Sequence, residues 1–166
     1  MIDSKPEELN TQERSAAQTT CCALLVEDSH HDEWLFRRAM EAVGRHVRLS
    51  SARDGDEAIA YLAGVGVYGN RAVHPLPSIV LLDIKLPRQS GFDVLHWVRA
   101  SGGDLRQLPV VMMSTSARDR DVRQAYELGA NAYVVKPDTY HELETCVDQI
   151  FGFWCDVNRS TGPRCS

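Results

Sequence analysis

Ser78-Ile79-Val80-Leu81-Leu82-Asp83-Ile84-Lys85-Leu86-Pro87-Arg88-Gln89-Ser90-Gly91 is the stretch that decides the fold. Its aliphatic and β-branched opening is too short for a helix and is closed by turn residues, which predicts a strand buried on both faces. Pro87 and Gly91 stop the strand and turn the chain into a helix, leaving Asp83 at the strand's carboxyl end with its side chain directed outward. In an open parallel sheet that rim is where ligands bind.

Working outward, the same alternation recurs. Ala23 to Val26 predicts a short buried strand that stops at Glu27-Asp28. Ser29 then caps a helix with Leu35, Phe36, Ala39, Met40 and Val43 on one side and Gly44 as its end. Val47 to Ala52 reads as an edge strand, and Asp54-Gly55 leads into a helix carrying Ala58, Ile59, Tyr61 and Leu62. Beyond the central strand come a helix over Phe92–Ala100, a strand over Pro109–Met113 ending in Ser114, and a polar helix over Arg118–Leu128. A strand over Ala132–Val135 follows, ending in Lys136-Pro137, and then a last helix capped by Asp138 or Thr139. Five such alternations predict a doubly wound, five-stranded parallel sheet in a three-layer α/β sandwich with right-handed crossovers. Residues 1–20 lack periodicity and read as a flexible tail, 21–155 as the folded unit and 156–166 as a second tail.

Composition narrows the class. The chain of 166 residues is 43% hydrophobic and 25% charged with a formal net charge of −5, the usage of one soluble globular domain. No basic block favours nucleic acid or an acidic membrane. No apolar run approaches the roughly 20 residues of a spanning helix, and no signal segment opens the chain, so a cytoplasmic location is expected. The five cysteines, Cys21, Cys22, Cys146, Cys155 and Cys165, form no Cys-x-x-Cys pair and suggest neither a disulfide framework nor a zinc site. Cys21, Cys22 and Cys146 read as small apolar residues and Cys165 as a tail thiol. Gly64, Gly66 and Gly69 match Gly-x-Gly-x-x-Gly, but a helix precedes them and prolines follow, so residues 64–77 read as an extended loop and not a dinucleotide site.

Four strand ends carry chemistry: Glu27-Asp28, Asp83, Ser114 and Lys136. Parallel topology puts them on one rim. Crowded carboxylates raise one another's pKa unless a cation is present, and hard oxygen ligands with room for water suit Mg²⁺. A carboxylate beside a divalent metal, a lysine and a hydroxyl suits phosphoryl transfer onto the carboxylate itself, Asp83 being the nucleophile. No general base is needed, because a free aspartate ionises near pH ~3.9. His30 and His31 follow the acidic pair, but neighbouring helix positions diverge and Mg²⁺ prefers oxygen, so they read as solvated residues. Trp34, on the same helix, is a candidate for a surface that receives a partner.

Taken together, Leu25-Val26-Glu27-Asp28, Leu81-Leu82-Asp83-Ile84-Lys85-Leu86-Pro87 with Gly91, Met113-Ser114-Thr115-Ser116 and Ala132-Tyr133-Val134-Val135-Lys136-Pro137 resemble the receiver domains of two-component response regulators, with their flavodoxin-like fold. The resemblance implies that Asp83 is the phosphoacceptor and that Asp28, Asp83 and the main-chain carbonyl of Lys85 hold Mg²⁺, with Glu27 acting through water. It implies Ser114 and Tyr133 as the switch pair, Lys136 as the phosphoryl-binding lysine and a cis bond before Pro137. The Lys85 side chain either flanks the phosphoryl group or is simply solvated. The loop at 64–77, the Ser-Thr-Ser run and Phe151-Gly152-Phe153-Trp154 resemble most the single-domain regulators that serve bacterial phytochromes. That likeness implies a sensor histidine kinase as partner and a homodimer through the last helix, with Phe151, Phe153 and Trp154 as interface residues. The expectation is a stoichiometric phosphoacceptor and not an enzyme. The alternatives are a phosphatase or phosphotransferase working through an aspartyl phosphate, which lacks a second acid beside Asp83, and a flavin-binding domain, whose first loop would not be Glu27-Asp28.

Overall fold

The computed structural model describes residues 21–159. Within it, buried aliphatic runs form β1 (Cys21–Val26), β3 (Ile79–Leu82) and β4 (Val110–Ser114), flanked by β2 (Val47–Ala52) and β5 (Ala132–Val135). All pair in parallel in the order β2-β1-β3-β4-β5. The chain steps outward to β2 and then returns to β3, so the order reverses between β1 and β3, the crevice where doubly wound sheets bind ligands.

Side-chain alternation along the strands sorts the core into two layers. Leu24, Val26, Val80, Leu82, Val110 and Met112 face α2 (Gly55–Ala63), α3 (Gly91–Ala100) and α5 (Asp119–Glu127). Ala23, Leu25, Ile79, Leu81, Val111 and Met113 face α1 (His30–Ala42) and α6 (Tyr140–Phe151). The expected three-layer sandwich is therefore present. A four-residue helix, α4 (Asp104–Gln107), sits in the segment read only as a stop before β4.

Local chemistry sets the helix ends. Ser29 and Asp54 accept hydrogen bonds from the backbone N–H groups of Asp32 and Glu57, while Ser90 with Asp93 and Thr139 with Glu142 form capping boxes. The segment over 64–77 is a long connection between helix and strand, but a 3-10 turn at Gly66–Tyr68 interrupts the expected extended loop, and it is well tied. Arg71 donates to the last carbonyls of α2 at Tyr61 (2.8 Å) and Leu62 (2.6 Å), and the Tyr68 hydroxyl donates to Glu57 at 2.6 Å. This glycine-bearing loop connects a helix to a strand, so it lies at the amino ends of the strands, away from the rim that carries Asp83.

Three expectations are corrected. Cys21 and Cys155 form a disulfide, with Cα atoms 5.7 Å apart. Their 134-residue separation hid this, because α6 runs antiparallel to the strands and returns the chain to the start of β1. Cys146 is half-buried and free, as read, whereas Cys165 and the tail before residue 21 lie outside the described residues. Phe151 is fully buried, in edge contact with Phe36, so it belongs to the core and not to an interface. A π-helical turn, Gly152–Val157, prolongs α6 past the expected boundary at 155 and leaves Phe153 half-exposed.

Gly91 opens α3 directly against the strand end, and a Cβ there would collide with the carbonyl group of Asp83. Gly91→Ala should cost about 1–3 kcal/mol through forced backbone displacement. Gly102→Ala, where a Cβ meets nothing within 4 Å, should stay within about 0.5 kcal/mol. Urea denaturation of the two variants reads the difference, and equal midpoints would contradict the close approach.

Candidate phosphoacceptor and metal site

Register brings the strand ends together. Val26 pairs with Leu82, so Glu27 and Asp83 are the next residues on neighbouring strands, and the Asp83 N–H donates to the Val26 carbonyl at 3.1 Å. Ser114 pairs with Val135, and the Lys136 N–H donates to the Ser114 carbonyl at 2.8 Å, which starts the lysine side chain at the same rim. No peptide bond among the described residues is cis. The bond before Pro137 is therefore trans, contrary to the expectation from resemblance, and the β5 register is what aims Lys136.

The Lys136 ammonium donates to Glu27 Oε2 and to Asp83 Oδ2, both at 2.5 Å, and to Asp32 Oδ2 at 3.4 Å. Glu27 is nearly inaccessible at 4% and Asp83 at 8%. Asp83 thus lies at the rim as expected but is sunk into it. Burial pushes the Glu27 carboxyl above its ordinary pKa, and the charge of Asp83 adds to that, while Lys136 and the Ser29 N–H partly offset it. Burial alone would lower the Lys136 pKa, but hydrogen bonds and charge from Asp83 and Glu27 outweigh it and raise the pKa.

Glu27, Asp28 and Asp83 each offer one oxygen within 4.8 Å of the others. Oxygen-only donors of this charge, with Asp28 open to solvent, fit a hard divalent cation that keeps part of its water. The loop after Asp83 is fixed for the purpose. The Lys85 N–H donates to Asp83 Oδ1 at 3.1 Å, and the Gly91 N–H to the Ile84 carbonyl at 2.9 Å. Arg88, held at φ 66°, pairs with Asp54 and with Asp56 (3.3 Å), tying the loop to the start of α2.

The cleft beside Asp83, about 340 Å³, is lined by Glu27, Asp32, Thr115 and Lys136, with Leu35 and Leu143 at its apolar end. Ser114 sits behind this wall, fully buried, its hydroxyl accepting from the Ser116 N–H at 3.2 Å. Tyr133 is half-buried and donates to the Ser116 carbonyl at 2.8 Å; burial pushes its phenol pKa up. Ser116 also donates to Asp121 of α5 at 2.6 Å. The Lys85 side chain, His30, His31 and Trp34 are exposed, with Trp34 lying under Arg38 at 5.5 Å.

Sequence reading missed Asp32, Ser116 and the Arg88–Asp54 tie. Asp32 had a signal, since a position four residues after Asp28 in the first helical turn faces back toward the strand end. Ser116 had none, because its main-chain contacts with Ser114 and Tyr133 and its hydroxyl bond to Asp121 arise only in the folded chain.

The model of the response regulator receiver domain family matches residues 23–148. The chain is 40% identical over 140 residues to the probable methanogenesis regulatory protein FilR2 of Methanothrix harundinacea, covering 84% of this chain and 87% of that one. It is 36% identical over 134 residues to response regulator Rcp1 of Synechocystis sp., covering 81% and 88%. The solved Mn²⁺-bound form of Rcp1 superposes with a TM-score of 0.75 at 34% identity, over 84% of this chain and 97% of that one. The phosphorylated cyanobacterial phytochrome response regulator RcpA gives 0.77 at 32% identity over the same shares. Among the described residues no helix is long and apolar enough to cross a membrane.

Lys136→Met leaves Glu27 and Asp83 buried without their cation and should cost about 3 kcal/mol at pH 7. Without Lys136 the Glu27 pKa rises further above its unfolded value. The native state then binds the extra proton, and stability returns as pH falls through that raised pKa toward the ordinary carboxylate range. Urea midpoints at pH 7 and pH 5 should therefore show a deficit that shrinks at pH 5. A constant deficit would mean the lysine does not neutralise these carboxylates.

Proposed function

The chain belongs to the response regulator receiver domain family, and on that premise we propose that it is a phosphoryl-accepting switch. In this reading Asp83 takes its phosphoryl group from a sensor histidine kinase, a phytochrome kinase being the first candidate. The observation that carries it is the pair of 2.5 Å hydrogen bonds from Lys136 to Glu27 and Asp83 beside the three-carboxylate cluster. A lone ammonium and a divalent cation at one buried carboxylate make a site for a group bearing several anionic oxygens. The likeness to a phosphorylated phytochrome regulator supports the choice of partner.

In the proposed reaction an Asp83 carboxylate oxygen attacks phosphorus, and the phosphorus–nitrogen bond to the donor imidazole breaks. The electron pair stays on that nitrogen, which takes a proton. Lys136 shifts its donor from Asp83 to a phosphoryl oxygen, and the Ser114 hydroxyl donates to another. Asp28, Asp83 and the Lys85 main-chain carbonyl, with Glu27 through water, would hold Mg²⁺, which would supply positive charge against those oxygens; the Mn²⁺-bound relative supports a divalent ion here. In this reading the transfer is stoichiometric, one phosphoryl group per Asp83.

Ser116 makes the switch cooperative. Movement of Ser114 breaks its bond to the Ser116 N–H, and Ser116 in turn holds the Tyr133 hydroxyl and Asp121 of α5. Inverting a two-state population from 1:99 to 99:1 takes about 5.5 kcal/mol of differential binding. A charge-assisted hydrogen bond contributes about 1.5–3 kcal/mol, so Lys136, Ser114 and the metal must act together. Signalling then proceeds in the cytoplasm through protein contacts, including a homodimer in which Phe153 and Trp154 contribute and Phe151 does not.

The protein incubated with acetyl phosphate and Mg²⁺ should take up one phosphoryl group per chain, lost with excess chelator and absent in Asp83→Asn. Labelling of a folded Asp83→Asn chain, seen by intact mass, would sink the assignment. Transfer from a phosphorylated phytochrome kinase, but not from unrelated kinases, checks the partner. Native sizing with and without beryllium fluoride checks the dimer.

A further inference from the structure

The acidic rim makes no use of the opposite end of the sheet, where β1 begins and α6 ends. There Cys21 and Cys155, both half-buried, are joined by a disulfide that forms part of the wall of a cleft of about 340 Å³. Arg45, His46 and Asp148 line the same cleft. Among the described residues, the side-chain polar tie of the Gly152–Val157 turn to the rest of the fold runs through Arg45. Arg45 pairs with Asp148 at 2.9 Å and with Asp156, but these carboxylates are 53% and 62% exposed and such pairs hold little. The Arg45 guanidinium also lies over Gly152, where a Cβ would meet it at 2.9 Å. Trp154 rests on the core edge, while Phe153 and Val157 are 51% and 68% exposed. A π-helical turn is a rarely populated geometry. Here the covalent bond is the strongest restraint acting on it.

We infer that Cys21–Cys155 is a reversible thiol–disulfide exchange site whose state decides whether the Gly152–Val157 turn is fastened to the sheet or released. Its substrates are dithiols in the reducing direction and disulfides in the oxidising one. In reduction a donor thiolate attacks one sulfur, the S–S bond breaks, and the displaced cysteine leaves as a thiolate into the cleft that Arg45 lines. The donor's second thiol then displaces the other cysteine. The donor ends as a disulfide, having given up two electrons, and two protons finish on Cys21 and Cys155. Oxidation by a disulfide runs the same exchange backward. The cleft gives the attacking thiol its approach, and the released turn takes Phe153 and Trp154, in edge contact at 5.0 Å, away from the sheet.

The full chain is tested after equilibration in excess oxidised glutathione and again in dithiothreitol. Non-reducing digestion and mass spectrometry should find Cys155 joined to the Cys21-Cys22 peptide in the oxidised sample only, and not at all in Cys21→Ser. Amide hydrogen exchange over 152–157 should speed by about ten-fold or more on reduction, with the strands unchanged. Cys155→Ser, on a peripheral turn, should show the fast pattern even when oxidised. No Cys155-linked peptide, a link that survives in Cys21→Ser, or equal exchange in the two redox states would each overturn the inference. None of these readouts depends on phosphorylation of Asp83.

Discussion

One ammonium group, Nζ of Lys136, stands between two carboxylates that the sheet edge has drawn out of water. Each carboxylate accepts from it at 2.5 Å, and neither has the exposure to be solvated instead. Lowering the local dielectric raises both the cost of an unpaired charge and the strength of a paired one. The two carboxylates therefore depend on this cation for their close approach. The backbone is arranged to maintain this: the β1–β3 register sets Glu27 beside Asp83, and the β4–β5 register delivers Lys136 to the same rim.

The two ends of the sheet divide the molecule's chemistry. At the carboxyl ends of the strands lie the carboxylates, the lysine and the Ser114–Ser116–Tyr133 chain of hydrogen bonds that reaches α5. At the amino ends lie the tied glycine-bearing loop, Arg45 and the Cys21–Cys155 bond. In a doubly wound sheet every helix carries the chain from one rim to the other, so changes at the two rims are linked through α1 and α6, which pack on the same face. The phosphoryl transfer and the thiol exchange proposed for the two ends are of unrelated chemistry.

Much was legible because the signals were local. Asp83 followed by Pro87 and Gly91 marked a strand end, a turn and a helix start; Ser29, Asp54, Ser90 and Thr139 stand where a capping side chain is needed. Alternating aliphatic runs identified which strands were buried on both faces. The misreadings share one cause. Phe151 looked like part of an aromatic surface patch, but the rotation of α6 turns it onto Phe36 and leaves Phe153 outside. The cysteines looked unrelated because their spacing along the chain says nothing about which rim a helix returns to.

The amino-acid sequence by itself determined the order of strands and helices, the caps that bound them and the residue types gathered at the strand ends, because each follows from contacts among near neighbours. Tertiary structure alone decided that Lys136 bridges Glu27 and Asp83, that Asp32 and Ser116 join the site, and that Cys21 meets Cys155. These are distances between residues far apart in the chain, set by sheet register and by the rotation of each helix about its axis. That rotation is fixed only when the whole core closes around it.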